Sequence, residues 1–151
     1  MAVTGAGLEG IVAAESQICY IDGNAGILSY QGFNIHTLAE HATFEEVIYL
    51  LWHGKLPNQS ELDSLKAGLV QARPIPADVT ALLKQVGAGA PMDVLRTAVS
   101  MLGLYDAEGK DNSIEASTRP AIQLMAQTAT IVTTFDRLRP PSRHWAPTEV
   151  P

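Results

Sequence analysis

Apolar residues recur along this chain with two different periods, and the change comes just after Tyr30. Ile18-Cys19-Tyr20-Ile21 and Ile27-Leu28-Ser29-Tyr30 are short runs rich in β-branched and aromatic residues. Asp22-Gly23-Asn24-Ala25-Gly26 lies between them and supplies residues that tolerate positive φ, so the two runs are predicted to form a hairpin. A hairpin this small needs something helical to pack on. Beyond it the period becomes that of a helix. Thr43-Phe44-Glu45-Glu46 reads as a capping box, followed by an apolar stripe of Phe44, Val47, Ile48 and Leu51. Gly54 is a natural stop, with Pro57 soon after.

A second helix is expected to begin near Asn58 or Ser60, with Leu62, Leu65 and Leu69 facing inward. Pro74 and Pro76 separate it from a third, whose stripe is Val79, Leu82, Leu83 and Val86 and whose end is Gly87. Pro91 opens a fourth at the position where its missing N–H costs nothing. Met92, Val94, Leu95, Ala98, Val99, Met101 and Leu102 cover more than one face of that helix, which predicts burial on two sides. The polar run Asp106–Asn112 is an exposed loop. A fifth helix is expected from about Ile114 to Arg137, with Pro120 tolerated near its start or kinking it. Ala121, Leu124, Met125, Thr128, Ile131, Val132, Phe135 and Leu138 wrap widely around its axis. The prolines from Pro140 to Pro151 end all periodicity, so the chain divides into a helical region, 1–139, and a disordered tail, 140–151. No repeat of fixed period is present.

Composition narrows the function classes. At 151 residues the chain is long enough for one domain, which at this size buries about 70% of its unfolded surface. The charged fraction is low at 17%, which points to a surface partly covered by a partner. A net charge of −6 argues against nucleic acid or an anionic membrane as that partner. The charge-free, apolar-rich stretch 120–135 is interrupted by Gln123, Gln127 and threonines, so no membrane span is expected. A single cysteine, Cys19, excludes an internal disulfide and fits a reducing, cytoplasmic setting. Within its strand-like run it is expected to be a buried apolar thiol.

Candidate chemistry is sparse. His36, His41, His53 and His144 are scattered, and none pairs with another histidine or cysteine at metal-ligand spacing, so no metal site is expected. Gly5-Ala6-Gly7 and Gly87-Ala88-Gly89 lack the preceding strand and the phosphate-binding context of a nucleotide loop, so no cofactor site is expected. Asp93 and Arg96 are placed for a surface or interface ion pair. Met92, Met101 and Met125 read as core fillers. No residue is assigned a catalytic role.

Several long runs resemble the opening of bacterial citrate and 2-methylcitrate synthases. They are 8–16, 20–23 (Tyr-Ile-Asp-Gly), 28–35 (Leu-Ser-Tyr-Gln-Gly-Phe-Asn-Ile), 38–40, 42–47, 49–57 (Tyr-Leu-Leu-Trp-His-Gly-Lys-Leu-Pro) and 91–100 (Pro-Met-Asp-Val-Leu-Arg-Thr-Ala-Val-Ser). The resemblance implies a mainly α, multi-helical fold with a small N-terminal β-hairpin, part of the larger domain of such an enzyme. It implies a family reaction in which an acyl-CoA enolate condenses with a 2-oxo acid. Ala90 departs from the family, which usually has a non-catalytic histidine before Pro-Met-Asp.

The resemblance also implies that the catalytic histidines, aspartate and arginines of the family lie downstream of the region matched here. It is read as ending near Arg139, where Pro140-Pro141-Ser142-Arg143-His144-Trp145 follows, a tail that a frameshift or premature stop would produce. No family motif surrounds His144. Three readings follow: an incomplete citrate synthase chain that is inactive alone, one half of a split enzyme completed by another polypeptide, and a non-catalytic helical dimerisation or regulatory module. The family's dimer contacts imply self-association through helices 91–104 and 114–137.

Overall fold

The computed structural model describes residues 12, 14–106 and 113–139. These fall into two compact units divided between Leu65 and Lys66. The expected tail, 140–151, lies outside the described residues, as do 107–112 of the expected polar loop.

The first unit opens with the antiparallel strands β1 (Cys19–Asp22), β2 (Ile27–Tyr30) and β3 (Phe33–Asn34), in the order β1-β2-β3. Tyr20 pairs with Ser29 and Tyr30 with Phe33. In the first turn Asp22 Oδ1 accepts from the N–H groups of Asn24 and Ala25, each at 3.0 Å, and Gly26 takes φ +65°. The predicted hairpin is therefore present. The third strand was not anticipated: it returns through Gln31 and Gly32, both at positive φ, in the two-residue loop that matches strand twist.

Cys19 is exposed, which corrects the expectation of a buried thiol. Its strand is the sheet edge, and Tyr20 and Ile21, which point to opposite faces, are both exposed. Neither face of β1 is covered at this point.

A helix that the sequence reading did not separate, α1 (Ile35–His41), follows directly, capped by Asn34 Oδ1, which accepts from the His36 N–H at 2.9 Å. Leu38 is its buried residue. Next comes α2 (Phe44–His53) with the capping box in place: Thr43 Oγ1 accepts from the Glu46 N–H at 3.4 Å, and the Glu46 carboxylate accepts from the Thr43 N–H at 2.7 Å. Gly54 ends it in the left-handed conformation, φ +71°, with its N–H on the Leu50 carbonyl. The stripe needs correcting. Ile48 and Leu50 are buried, whereas Phe44 is 68% exposed. Residues two apart lie about 200° apart around a helix, so α2 is covered on two nearly opposite sides. That packing does not reach the first turn, where Phe44 stands. In α3 (Gln59–Gln71) Leu62 and Leu65 are buried, as expected.

The second unit is built on α4 (Ala77–Gln85), α5 (Pro91–Leu102), a short 3-10 turn (Gly103–Tyr105) and α6 (Ile114–Leu138). Each helix gives two residues to one apolar core: Val79 and Leu83, Val94 and Ala98, Ile131 and Phe135. Leu95, Val99, Met101 and Leu102 pack against it partly buried. The helix boundaries agree closely with the periodicity, and Pro120 is accommodated inside α6 without ending it.

Not every apolar position is core. Met92 is 73% exposed, so it is no core filler, and Met101 and Met125 are only half-buried. Leu124 and Val132 are also exposed. Two polar ties join these elements. Tyr105 donates to Asp78 Oδ2 at 2.7 Å, and the Gln127 side-chain amide donates to the Pro74 carbonyl at 2.9 Å.

Candidate functional site

The polar side chains of the described residues are at or near the surface, and none of the described polar or charged residues is buried. His36, His41 and His53 are all exposed. His41 Nε2 lies 3.8 Å from Glu40, and His53 stacks on the Tyr49 ring with centroids 4.1 Å apart. Among the described residues no three histidine, cysteine, aspartate or glutamate side chains are grouped to hold a metal ion. Asp93 and Arg96 form the expected pair at 3.0 Å on the exposed side of α5. Gly89 has a steric reason for being glycine: a Cβ there would stand 2.8 Å from Val94 Cγ2. It lets the turn after α4 close tightly on α5. Gly5-Ala6-Gly7 and His144 lie outside the described residues.

Two features gather side chains in ways the sequence did not announce. One is the corner between α2 and α3. Lys55 Nζ donates to Glu61 Oε1 at 2.7 Å, and the Asn58 N–H donates to Glu61 Oε2 at 2.8 Å. Asn58 Oδ1 in turn accepts from the Glu61 N–H at 2.9 Å, a reciprocal cap on α3. The Tyr49 hydroxyl also interacts with this carboxylate. The Lys55 hydrogen bond, followed by the Asn58 N–H, holds the Glu61 pKa down to about 2. Reciprocally, the bond to Glu61 pushes the Lys55 pKa up. Desolvation and then Glu61 raise that of Tyr49. The Asn58-x-x-Glu61 spacing was the available signal for half of this arrangement. Lys55 carried none.

The other feature is an apolar groove of about 180 Å³ between the start of α5 and the end of α6. Met92 and Leu95 line one side, Val132 and Phe135 the other, and Asp136 and Arg139 stand at its rim. The Arg139 guanidinium lies over the Phe135 ring, 5.6 Å from its centroid. Such a groove can receive an apolar side chain.

Comparison with known proteins supplies what the geometry leaves open. The family model described as "Citrate synthase, C-terminal domain" matches residues 7–149, running past Arg139, where the sequence reading ends its resemblance. Citrate synthase 2 of Bacillus subtilis strain 168 is 42% identical over 135 residues, covering 88% of this chain and 36% of that protein. The 2-methylcitrate synthase of Shewanella oneidensis is 38% identical over 131 residues, 86% of this chain and 34% of its own length. The crystal structure of citrate synthase from Pyrobaculum aerophilum superposes with a TM-score of 0.80 at 30% identity, over 87% of this chain and 35% of that one. This chain thus spans little more than a third of the length of the curated relatives it matches.

Proposed function

Because the chain belongs to the citrate synthase family, we propose that these 151 residues are a scaffold portion of an enzyme that condenses an acyl-CoA with a 2-oxo acid, and that they do not catalyse the condensation alone. The observation that carries this reading is the distribution of polar groups. The reaction needs a base, an acid and cationic anchors converging on one pocket. The described histidines are instead scattered over the surface, and the core of the second unit is wholly apolar. The family match is equally compatible with citrate and 2-methylcitrate formation, since relatives of both kinds align over most of the chain.

Purified from a host lacking its own synthase, the chain is expected to release no CoA thiol from acetyl-CoA or propionyl-CoA with oxaloacetate. Turnover clearly above the blank would overturn the reading.

The same chain is proposed to associate through α5 and α6. Met92, Leu124, Val132 and Leu104 are exposed on or beside these helices, and each is worth about 1.5–3 kcal/mol if fully buried. Against a total stability of about 5–15 kcal/mol that is a strong drive to be covered. The cover is a second copy or a polypeptide that completes the enzyme. No described helix is long and apolar enough to cross a membrane, and a cytoplasmic setting is proposed with the single, exposed cysteine as its support. Sedimentation at micromolar concentration tests association. A compact monomer that binds no hydrophobic dye would overturn it.

A further inference from the structure

Glu61 occupies an unusual position for a surface carboxylate. One of its oxygens holds the Lys55 ammonium, which comes from the loop after α2, and the other holds the Asn58 N–H at the entrance to α3. Both partners lie in the five-residue connection Gly54–Asn58, and Glu61 itself is anchored on α3 by its own N–H to Asn58 Oδ1. The titratable groups around it are Lys55 from the connection and Tyr49 from α2, and His53, also on α2, stacks on the Tyr49 ring. The connection is also joined to the helices at its two ends, by the Gly54 N–H on the Leu50 carbonyl and the Leu62 N–H on the Asn58 carbonyl. It runs over the surface, with Lys55, Leu56 and Asn58 exposed, and Gly54 and Pro57 cannot extend either helix through it.

We propose that the Glu61 carboxylate is a charge-dependent latch on the α2–α3 corner: neutralising it frees the connection while both helices remain formed. Hydrogen bonds to an ionised acceptor are about twice as strong as neutral ones, so protonation or amidation weakens two contacts at once. The depressed pKa of Glu61 agrees with this arrangement, because the folded corner favours the charged form. The latch is therefore closed at neutral pH and opens in acid. Local opening of this kind costs less than global unfolding and reports on a single joint.

Amide hydrogen exchange at pH 7 on the full chain tests the latch in wild type, Glu61→Gln and Lys55→Met. The expected result is that Glu61→Gln lowers protection of the Asn58 amide by about tenfold or more, with α2 amides 48–52 unchanged. Lys55→Met is expected to give a smaller loss at the same place. Protection at Asn58 within twofold of wild type, or a loss spread evenly over α2 and α3, would overturn the proposal. If Glu61→Gln does not fold, acid titration of the wild-type Asn58 amide shift decides. An inflection well below 4.5 supports the latch, and one at the ordinary 4.5 removes it.

Discussion

Replacing Gly89 with alanine tests the packing of the second unit at its tightest point. The new Cβ would stand 2.8 Å from Val94 Cγ2 and 3.1 Å from the Val86 carbonyl oxygen. Ordinary contacts begin near 3.4 Å, so something has to move. Val94 is 5% exposed and belongs to the core with Val79, Leu83 and Ile131. Its β-branched side chain has few alternative rotamers in a helix. Overpacking of this kind costs about 1–3 kcal/mol. The stiffer unfolded chain returns about 0.4–1 kcal/mol, since Gly89 is not at positive φ. A net loss of about 1–2 kcal/mol is expected. Gly68 supplies the control. It lies within α3 with no atom within 4 Å of an added Cβ, so Gly68→Ala is expected to gain about 0.5–1 kcal/mol. Urea unfolding at one fixed protein concentration, followed by circular dichroism, measures both. The cost of Gly89→Ala should shrink in a Val94→Ala background, where the offending methyl is gone. Equal stabilisation by both glycine substitutions, or a cost unaltered by Val94→Ala, would refute the reasoning.

Three further outcomes are expected. Leu83→Ala, which empties a fully buried site between three helices, should cost about 2–5 kcal/mol in the same urea assay, with smaller values wherever the core collapses into the space. Thr43→Ala removes the cap of α2 and should cost about 1 kcal/mol, seen as a lower urea midpoint with unchanged slope. The Glu61 pKa is lowered on folding, so its contribution is fully present above 4.5 and is lost as pH falls toward about 2. The melting-temperature gap between wild type and Glu61→Gln should therefore be largest near neutrality and narrow in acid. A gap that widens in acid would show the sign to be wrong.

How much of the fold was legible follows from what each signal measures. Caps and stops are local, and they read well: Thr43 with Glu46, Gly54 at positive φ, and Pro91 at the start of α5 are all where the sequence puts them. Stripes are less local. A stripe of Phe44, Val47, Ile48 and Leu51 reports that one face is apolar, but burial depends on how far the neighbouring element extends along it. Phe44, at the start of the helix, is left exposed, and Leu50, off the stripe, is fully buried. Short elements read worst. Helix α1 has seven residues with Leu38 as its sole buried side chain, and β3 has two residues, so neither has room for a period to show.

The functional features were less legible still, and the reason is geometric. Lys55 and Glu61 are six apart, outside the i,i+3 and i,i+4 spacings at which helical side chains meet. They come within 2.7 Å only because Gly54 turns the chain at φ +71° and Asn58 restarts a helix four residues on. The groove poses the same difficulty across a longer distance. Met92 and Val132 are 40 residues apart, and each alone reads as an ordinary core side chain. Set side by side by two helices that share Val94 and Ile131 below, they form one apolar surface instead. Sequence spacing shows that α5 and α6 each carry more apolar area than one face can hide. It takes the packing to show which residues the shared core uses, Val94, Ala98, Ile131 and Phe135, and which it leaves outside for another surface to cover.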